Sequence, residues 1–291
     1  MADLVRIASD RLSAAIDPFG AELVSLRDAD GAELMTDADP AYWAGHAPIL
    51  FPVVGRLNED VLRLDGCEYP MPKHGFARRS AFEVIAAEPD RAVFALVDSP
   101  ATRLAYPFAF RLEIAFTVED ATLRTEATIS NLGPDPLPAS FGFHPAFAWP
   151  LPYGRARADH RIVFDEEESV RLAAITPDGL IAAGTTPSPL DGRTLPLADA
   201  LFEHDALVWR ELRSQALVYG ASDGPHLRIA FPSTPMLGIW TKPGAAYVCV
   251  EPWHGIADPE GYTGDFRAKP GVFEVAPGAS KSIGMSVTLV P

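Results

Sequence analysis

The sequence is poor in cysteine and has no long apolar run, and both features restrict where the protein works. Its 291 residues include only two cysteines, Cys67 and Cys249, and neither has a Cys-x-x-Cys partner. We interpret both as free thiols of a reducing compartment. The N-terminal segment carries acidic and basic residues where a signal peptide needs an apolar region, and no run approaches the about 18 apolar residues of a membrane span. We therefore expect a cytoplasmic protein without membrane contact.

Positive charge is also scarce, which excludes one class of partner. The chain has 24 Lys and Arg against 39 Asp and Glu, a net charge of -15 and a pI of about 4.8. Such a surface repels polyanions, so we expect no nucleic-acid partner, whereas a neutral small molecule is compatible. With 48% hydrophobic residues and no internal composition break, residues 1–291 are expected to form a single globular domain, as a monomer or homodimer.

Long segments with helical periodicity are absent, and strand patterns dominate. Apolar residues alternate with polar ones from Phe108 to Val118, and again from Ile283 to Leu289. Asp65-Gly66 is typical of a two-residue hairpin turn. The pattern predicts an all-β protein, a large antiparallel β-sandwich.

Three local predictions bear on the site. Pro48 and Pro52 favour an irregular loop across residues 46–56, because proline interrupts a central strand. Residues 247–250 are expected to form a strand that delivers Glu251 at its end, with Pro252 stopping the ladder. Residues 272–275 are expected to pair with 283–289 around the Pro277-Gly278 turn.

The familiar motifs of catalysis are missing. We find no phosphate-binding loop, dinucleotide glycine motif, His-Glu-x-x-His or nucleophile elbow, and the histidine spacings match no zinc pattern. We therefore expect neither a cofactor nor a metal. Seven polar residues remain, each within or beside an apolar segment near a predicted strand end: Arg56, His74, Arg78, His144, Asp205, Glu251 and His254. Taken singly, each also has a structural explanation, such as a core histidine, a solvated arginine or an aspartate at a turn.

His144 is the most informative of these residues. It lies in Ser-Phe-Gly-Phe-His-Pro-Ala-Phe, residues 140–147. Three phenylalanines would partly desolvate the imidazole and hold its pKa near or below neutral, which makes it a candidate acid or base. Glu251 is the second candidate, because the Val-Cys-Val-Glu-Pro-Trp segment sets a carboxylate beside a strand of buried character.

Four segments in order resemble the aldose 1-epimerase (mutarotase) family. They are Gly-x-x-Pro-x-x-Phe-Pro-x-x-Gly at 45–55, His-Gly-Phe-Ala-Arg at 74–78, Phe-Gly-Phe-His-Pro-Ala-Phe at 141–147 and Val-Cys-Val-Glu-Pro-Trp at 248–253. The resemblance spans about residues 12–289. It implies the galactose mutarotase type of β-sandwich and a sugar as the small-molecule partner.

The resemblance also implies roles for single residues. His144 would be the general acid at the ring oxygen, and Glu251 the general base on the anomeric hydroxyl. His74 would hold and polarise the sugar near the ring oxygen. Arg56 and Asp205 would bind ring hydroxyls. We also expect Arg78, which ends the His-Gly-Phe-Ala-Arg segment, to bind the substrate. Mutarotation needs one base and one acid, and no metal or cofactor.

The sequence departs from two branches of that family. Galactose mutarotases read Asn-Arg-Ile after the glycine and His-Gly-Gly at the first histidine, whereas this chain has Arg56-Leu57-Asn58 and His74-Gly75-Phe76. The hexose-6-phosphate epimerase branch carries an arginine where this chain has Ala44. Alternation also directs Lys73 and Arg79 away from His74 and Arg78. A free aldohexose is therefore the expected substrate and its 6-phosphate the alternative.

Two other function classes stay open. A sugar-binding protein of the same fold would have lost catalysis, although pure binding needs no acid and base pair. A glycoside hydrolase would use Asp205 and Glu251 as its two carboxylates. Cleavage of a glycosidic bond distinguishes the hydrolase from an epimerase.

Overall fold

The computed structural model describes residues 3–169 and 171–291. In chain order the strands begin with β1 (Val5–Ala8), β2 (Leu12–Asp17), β3 (Glu22–Asp28), β4 (Ile49–Leu50), β5 (Val61–Leu64), β6 (Cys67–Pro70), β7 (Glu83–Ala87), β8 (Arg91–Val97), β9 (Phe110–Glu119), β10 (Thr122–Asn131), β11 (Leu137–Ala139) and β12 (Phe141–Phe143). They continue with β13 (Ala146–Ala148), β14 (His160–Phe164), β15 (Arg171–Ile175), β16 (Ile181–Pro187), β17 (Thr194–Pro196), β18 (Leu207–Trp209), β19 (Ala216–Ala221), β20 (His226–Ala230), β21 (Met236–Trp240), β22 (Tyr247–His254), β23 (Phe273–Val275) and β24 (Ser280–Val290).

Helical structure in the described residues is limited to short pieces. One α-helical turn, α1, spans Pro100–Arg103, and 3-10 turns lie at Asn58–Asp60, Ala77–Arg79, Arg157–Asp159, Asp199–Phe202 and Phe266–Ala268. None of these is long and apolar enough to cross a bilayer. Both cysteines are free thiols, as predicted, with Cys67 exposed and Cys249 buried.

Two large antiparallel sheets form the body of the protein, which confirms the predicted fold class. The nine-stranded sheet has the order β17-β14-β19-β20-β24-β10-β9-β8-β7, and the eight-stranded sheet has the order β16-β15-β18-β21-β22-β12-β4 with β13 also paired to β22. The sheets contact each other face to face: Phe147 and Tyr219 have ring centroids 6.5 Å apart, and Phe164 and Trp209 have centroids 5.2 Å apart. The Tyr219 hydroxyl donates to the Ala148 carbonyl at 2.6 Å.

Alternation along the strands explains why a core forms between the sheets. In β9 every second residue from Phe110 to Val118 is buried, because side chains on a strand point to opposite faces in turn. The corresponding residues of β10 and β24 are buried in the same core.

Two local predictions are wrong. The segment predicted to pair with the last strand is β23, which pairs instead with β11. The reason is that β24 already pairs with β10 on one edge and β20 on the other, so no edge is free.

The predicted irregular loop is confirmed. Residues 46–56 contain only the two-residue strand β4 and a cis Phe51-Pro52 bond.

Glu251 does not end its strand either, because β22 continues to His254. Val250 donates its N–H to the Pro145 carbonyl, so by alternation the nitrogen of Pro252 points to that same edge. There the ladder is already interrupted between β13 and β12, while pairing with β21 continues on the other edge. Proline is therefore tolerated inside this strand.

Candidate active site

Strand β22 presents its side chains alternately to two environments. Val248 and Val250 belong to the core between the sheets, whereas Cys249 and Trp253 belong to separate clusters on the other face. Glu251 lies between those two and faces the same way. The candidate site is therefore on the outer face of the eight-stranded sheet, away from the main core.

His144 lies directly across from Glu251. Gly142 pairs with Trp253, and Ala146 pairs with Cys249, in one common antiparallel register. The residue between them, His144, is thus opposite Glu251, and its Nε2 lies 3.2 Å from Glu251 Oε2. Both residues are buried, with 7% of His144 and 2% of Glu251 exposed.

Tryptophans enclose this pair. The ring of Trp43 is tilted over His144 with centroids 5.0 Å apart, and Trp240 approaches edge-on at 6.0 Å. The ring of Trp253 covers two glycines of the adjacent strands: a Cβ on Gly142 or Gly238 would lie 2.5 Å from it. These glycines therefore make room for the indole beside the acid and base pair.

His74 is held by Gly55 through two bonds. Its backbone N–H donates to the Gly55 carbonyl at 2.8 Å, and the Gly55 N–H donates to His74 Nδ1 at 3.1 Å. Since Nδ1 accepts, the neutral ring carries its proton on Nε2, which remains available as a donor. The His74 and His144 rings are perpendicular, with centroids 5.8 Å apart.

The turn that carries His74 is constrained by close backbone approach. His74 itself has φ of 68°, which non-glycine residues adopt at a cost, and such backbone strain concentrates at functional sites. Gly75 has φ of +72°, and a Cβ there would lie 2.2 Å from the Phe51 carbonyl oxygen. That oxygen accepts from the N–H groups of Phe76 and Ala77.

Burial sets the protonation of the site. It lowers the pKa of His144 to about 3 and lowers the pKa of His74 well below its usual value. Burial also raises the pKa of Glu251 well above its usual range; the Lys73 charge opposes this shift and Asp205 adds to it. All three shifts favour neutral forms. In the neutral pair, protonated Glu251 donates to Nε2 of His144.

A cavity of about 280 Å³ opens over these groups. This is close to the lower end, about 300 Å³, of typical ligand pockets. Its wall contains five of the predicted site residues: His74, Arg78, His144, Asp205 and Glu251. Asp205 is exposed and has φ of 80°.

Two cations also lie on the cavity wall. Lys73 lines it together with Arg78, contrary to the orientation that alternation predicts. The reason is that residues 73–79 form a turn and a 3-10 helix, not a strand. Among the described residues, neither side chain has a hydrogen-bond or ion-pair partner, and partial burial lowers the pKa of Arg78.

Arg56 is not brought to this cavity. It lines a neighbouring, more open depression with Lys73 and Asp178. Its guanidinium is bound to both carboxylate oxygens of Asp60, at 3.0 and 3.1 Å, and to the Asp178 carbonyl at 3.3 Å. Contact between Arg56 and a substrate therefore remains a prediction. His254 lies on the opposite face of β22, with its ring 5.2 Å from that of Phe273.

Four site residues were missed by the sequence analysis. They are Trp43, Trp240, Trp253 and Cys249. Part of the signal was present, because alternation through residues 249, 251 and 253 sets all three on one face. Trp43 lies in a loop and carries no comparable signal.

The whole chain is similar to known proteins. A family model described as aldose 1-epimerase matches residues 3–263. A curated relative, "Protein LacX, plasmid" of Lactococcus lactis subsp. lactis, is 29% identical over 296 residues, covering 98% of this chain and 99% of the relative.

Two solved structures have the same fold over their full length. A galactose mutarotase related enzyme from Lactobacillus acidophilus superposes with a TM-score of 0.92 at 30% identity, covering 99% of this chain and 98% of the other. A galactose mutarotase-like protein from Lactobacillus casei ATCC 334 gives 0.93 at 28% identity, covering 99% and 100%.

Proposed function

The chain belongs to the aldose 1-epimerase family, and we propose that it interconverts the α and β anomers of a free aldohexose. The observation that carries this proposal is the buried pair of His144 and Glu251, joined at 3.2 Å on the wall of a cavity that also holds His74. Anomerisation acts on two oxygens bonded to the same carbon, so its acid and base must lie close together.

The proposed reaction opens and recloses the sugar ring. Glu251 removes the proton from the C1 hydroxyl while His144 protonates the ring oxygen, so the C1 to ring-oxygen bond breaks and an aldehyde forms. Rotation about the C1–C2 bond turns the other carbonyl face toward the former ring oxygen. On reclosure Glu251 returns its proton to the C1 oxygen and the former ring oxygen returns its proton to His144, so both residues end as they began.

The reactive protonation state is reached without exchange of protons with solvent. Burial favours protonated Glu251 and neutral His144. The state with imidazolium and carboxylate differs from it only by transfer of one proton across the 3.2 Å contact. Lys73, whose charge lowers the pKa of Glu251, favours the carboxylate that the base role needs.

The remaining wall residues suit a sugar in this orientation. His74, with its proton on Nε2, donates toward the ring oxygen. Arg78 and Asp205 offer a donor and an acceptor for hydroxyls, and the tryptophans offer flat apolar faces. Arg56 lies outside this cavity, so we propose that it contacts only a part of the substrate that reaches the neighbouring depression.

A specific observation favours a second candidate, a hexose-6-phosphate. Lys73 and Arg78 both face the cavity, and neither has an ion-pair partner among the described residues. Two cations are a better anion site than Arg78 alone. The absence of the branch's arginine, where this chain has Ala44, keeps the free sugar as our first choice.

A sugar-binding protein and a glycoside hydrolase both fit the site less well. A sugar-binding protein has no need of an imidazole and a carboxyl held in contact at a cost in desolvation. A glycoside hydrolase would work through Asp205 and Glu251, two carboxyls, whereas the hydrogen-bonded partner of Glu251 is His144.

We further propose a cytoplasmic location, supported by the two free thiols.

The decisive experiment is magnetisation-exchange NMR of anomer interconversion. Purified protein is added to glucose, galactose and their 6-phosphates at equal ionic strength, and aryl glycosides are included to detect hydrolysis. We expect exchange between the α and β signals far above the spontaneous rate, with no glycoside cleavage. Exchange at the spontaneous rate for every aldose tested would contradict the proposal.

A further inference from the structure

A third potential ligand lies beside the acid and base pair. Cys249 precedes Glu251 by two residues on β22 and pairs with Ala146, so its side chain is on the same face as that of Glu251. The thiol sulfur, a ring nitrogen of His144 and a carboxylate oxygen of Glu251 all lie within 4.8 Å of one another. All three residues are more than nine-tenths buried.

We infer that His144, Glu251 and Cys249 form a three-ligand site for Zn²⁺ or a similar borderline-soft divalent metal. Imidazole, carboxylate and thiolate are the three ligand types that zinc uses in proteins. Zinc sites that stay open to solvent or substrate have three protein ligands and one free position. Here the cavity over His144 and Glu251 supplies the open position to water.

The distances fit this metal with a small rearrangement. Zinc–nitrogen and zinc–oxygen bonds of about 2.1 Å at a tetrahedral angle separate the two ligand atoms by about 3.4 Å. The observed separation of His144 Nε2 and Glu251 Oε2 is 3.2 Å. With a zinc–sulfur bond of about 2.3 Å, the sulfur must lie about 3.6 Å from each of the other two atoms. Since the three ligand atoms lie within 4.8 Å of one another, the Cys249 thiol has to approach by up to about 1.2 Å.

The surroundings limit the affinity. Asp205 favours a cation in the cavity, whereas Lys73 and Arg78 oppose it. His144 Nδ1 has no hydrogen-bond partner among the described residues. Outer partners of a ligating histidine typically contribute 10–100-fold in metal affinity. We therefore expect zinc to bind about 10–100-fold more weakly than at a site whose histidine has an outer partner, so that the site is inhibitory and not structural.

Zinc binding itself does not rest on the proposed function; only its inhibitory effect does. The metal would occupy the Nε2 lone pair and the carboxylate that the proposed chemistry needs. Chelator-treated protein should therefore retain full epimerase activity, and added Zn²⁺ should lower it. A protein without epimerase activity would still bind the metal.

The test uses the whole chain and two metals. Zn²⁺ affinity is measured by competition with a chromophoric chelator, and Co²⁺ is added as a spectroscopic probe, because a thiolate ligand gives a sulfur-to-cobalt charge-transfer band. Cys249→Ser and Cys249→Ala remove the sulfur, and Cys67→Ser is the matched control at the exposed cysteine. Circular dichroism checks that each variant is folded.

We expect one Zn²⁺ per chain, the charge-transfer band in wild type and Cys67→Ser, and at least about a tenfold loss of affinity without Cys249. The proposed ligand set is wrong if either Cys249 variant binds zinc as tightly as wild type. It is also wrong if wild-type protein with Co²⁺ lacks the thiolate band. If both Cys249 variants fail to fold, wild-type protein with Co²⁺ decides the test. The thiolate band then supports the site, and its absence contradicts it.

Discussion

The carboxyl of Glu251 and the imidazole of His144 are held 3.2 Å apart where burial disfavours charge on both. If they are the base and acid, His144→Asn and Glu251→Gln should each lower kcat by roughly 10²-fold or more. The substitutions are close in shape, so the fold should be retained. NMR exchange rates measure the loss, and His226→Asn, a histidine that lies off the cavity wall, is the control that should leave kcat unchanged. Near wild-type exchange in either site variant refutes the roles.

The same carboxyl should reduce stability at neutral pH. Burial raises the pKa of Glu251 in the folded state, so the folded chain keeps a proton that the unfolded chain, with a pKa of about 4.3, has released. Stability from this group is complete below pH of about 4 and declines as the pH rises from there toward the raised folded pKa.

Glu251→Gln removes that decline. We expect the variant to melt at a higher temperature than wild type at pH 7, by about 2–4 °C for each kcal/mol gained, and to show no such gain below pH of about 4. Thermal melts at both pH values measure the difference. The His144 contribution, which lowers stability below pH of about 6.5, is present in both proteins and largely cancels. A gain that is equal at the two pH values would contradict this account.

The charges of Lys73 and Arg78 should show whether the free sugar or its 6-phosphate is the substrate. If the free aldose is the substrate, Lys73→Ala and Arg78→Ala should reduce kcat/KM by similar factors for the free sugar and its 6-phosphate. If the phosphate is the substrate, each variant should lose roughly 10-fold or more for the phosphate alone, the scale of a charge-assisted hydrogen bond. Arg79→Ala is the control, because Arg79 is exposed and lies off the cavity wall. A phosphate-selective loss overturns our first choice.

At the scale of elements, the turn carrying His74 should be intolerant of a single methyl group. Gly75 and Gly66 have similar φ values, +72° and +77°, but a Cβ at Gly75 meets the Phe51 carbonyl at 2.2 Å and a Cβ at Gly66 meets nothing within 4 Å. Gly66→Ala should cost about 1 kcal/mol from backbone conformation alone. Gly75→Ala should cost several times more and lower activity, because the clash displaces His74. Urea unfolding measures both, and equal costs would show that the close approach is unimportant.

Alternation predicted much of the fold and part of the site. It identified β9 and β24 from their alternating apolar and polar residues, because one face of each strand lies in the core. Alternation gave the wrong side-chain direction for Lys73, because Lys73 lies in a turn and not in a strand. The partner of β23 was also wrong, because β23 pairs with β11, which is far away in sequence. The contact between His144 and Glu251 depends on a shared register across β12, β13 and β22, and register between distant strands is not encoded locally.

For the whole molecule, the single-domain organisation remains a prediction, and the core indicates how to test it. One continuous hydrophobic cluster includes residues of both large sheets, from Ile7 near the beginning of the chain to Val287 near its end. The last long strand, β24, lies in the middle of the nine-stranded sheet, so that sheet cannot be completed without the C-terminal segment. Separate unfolding of an N-terminal and a C-terminal half would expose this shared core.

We therefore expect one calorimetric transition with equal calorimetric and van't Hoff enthalpies. Deleting residues 280–290 should abolish folding, because the deletion leaves β10 and β20 without their shared partner. A matched control is Leu289→Ala, near the end of β24, which should lower Tm while keeping one transition. Two resolved transitions, or a folded protein without β24, would mean that the chain contains more than one independent domain.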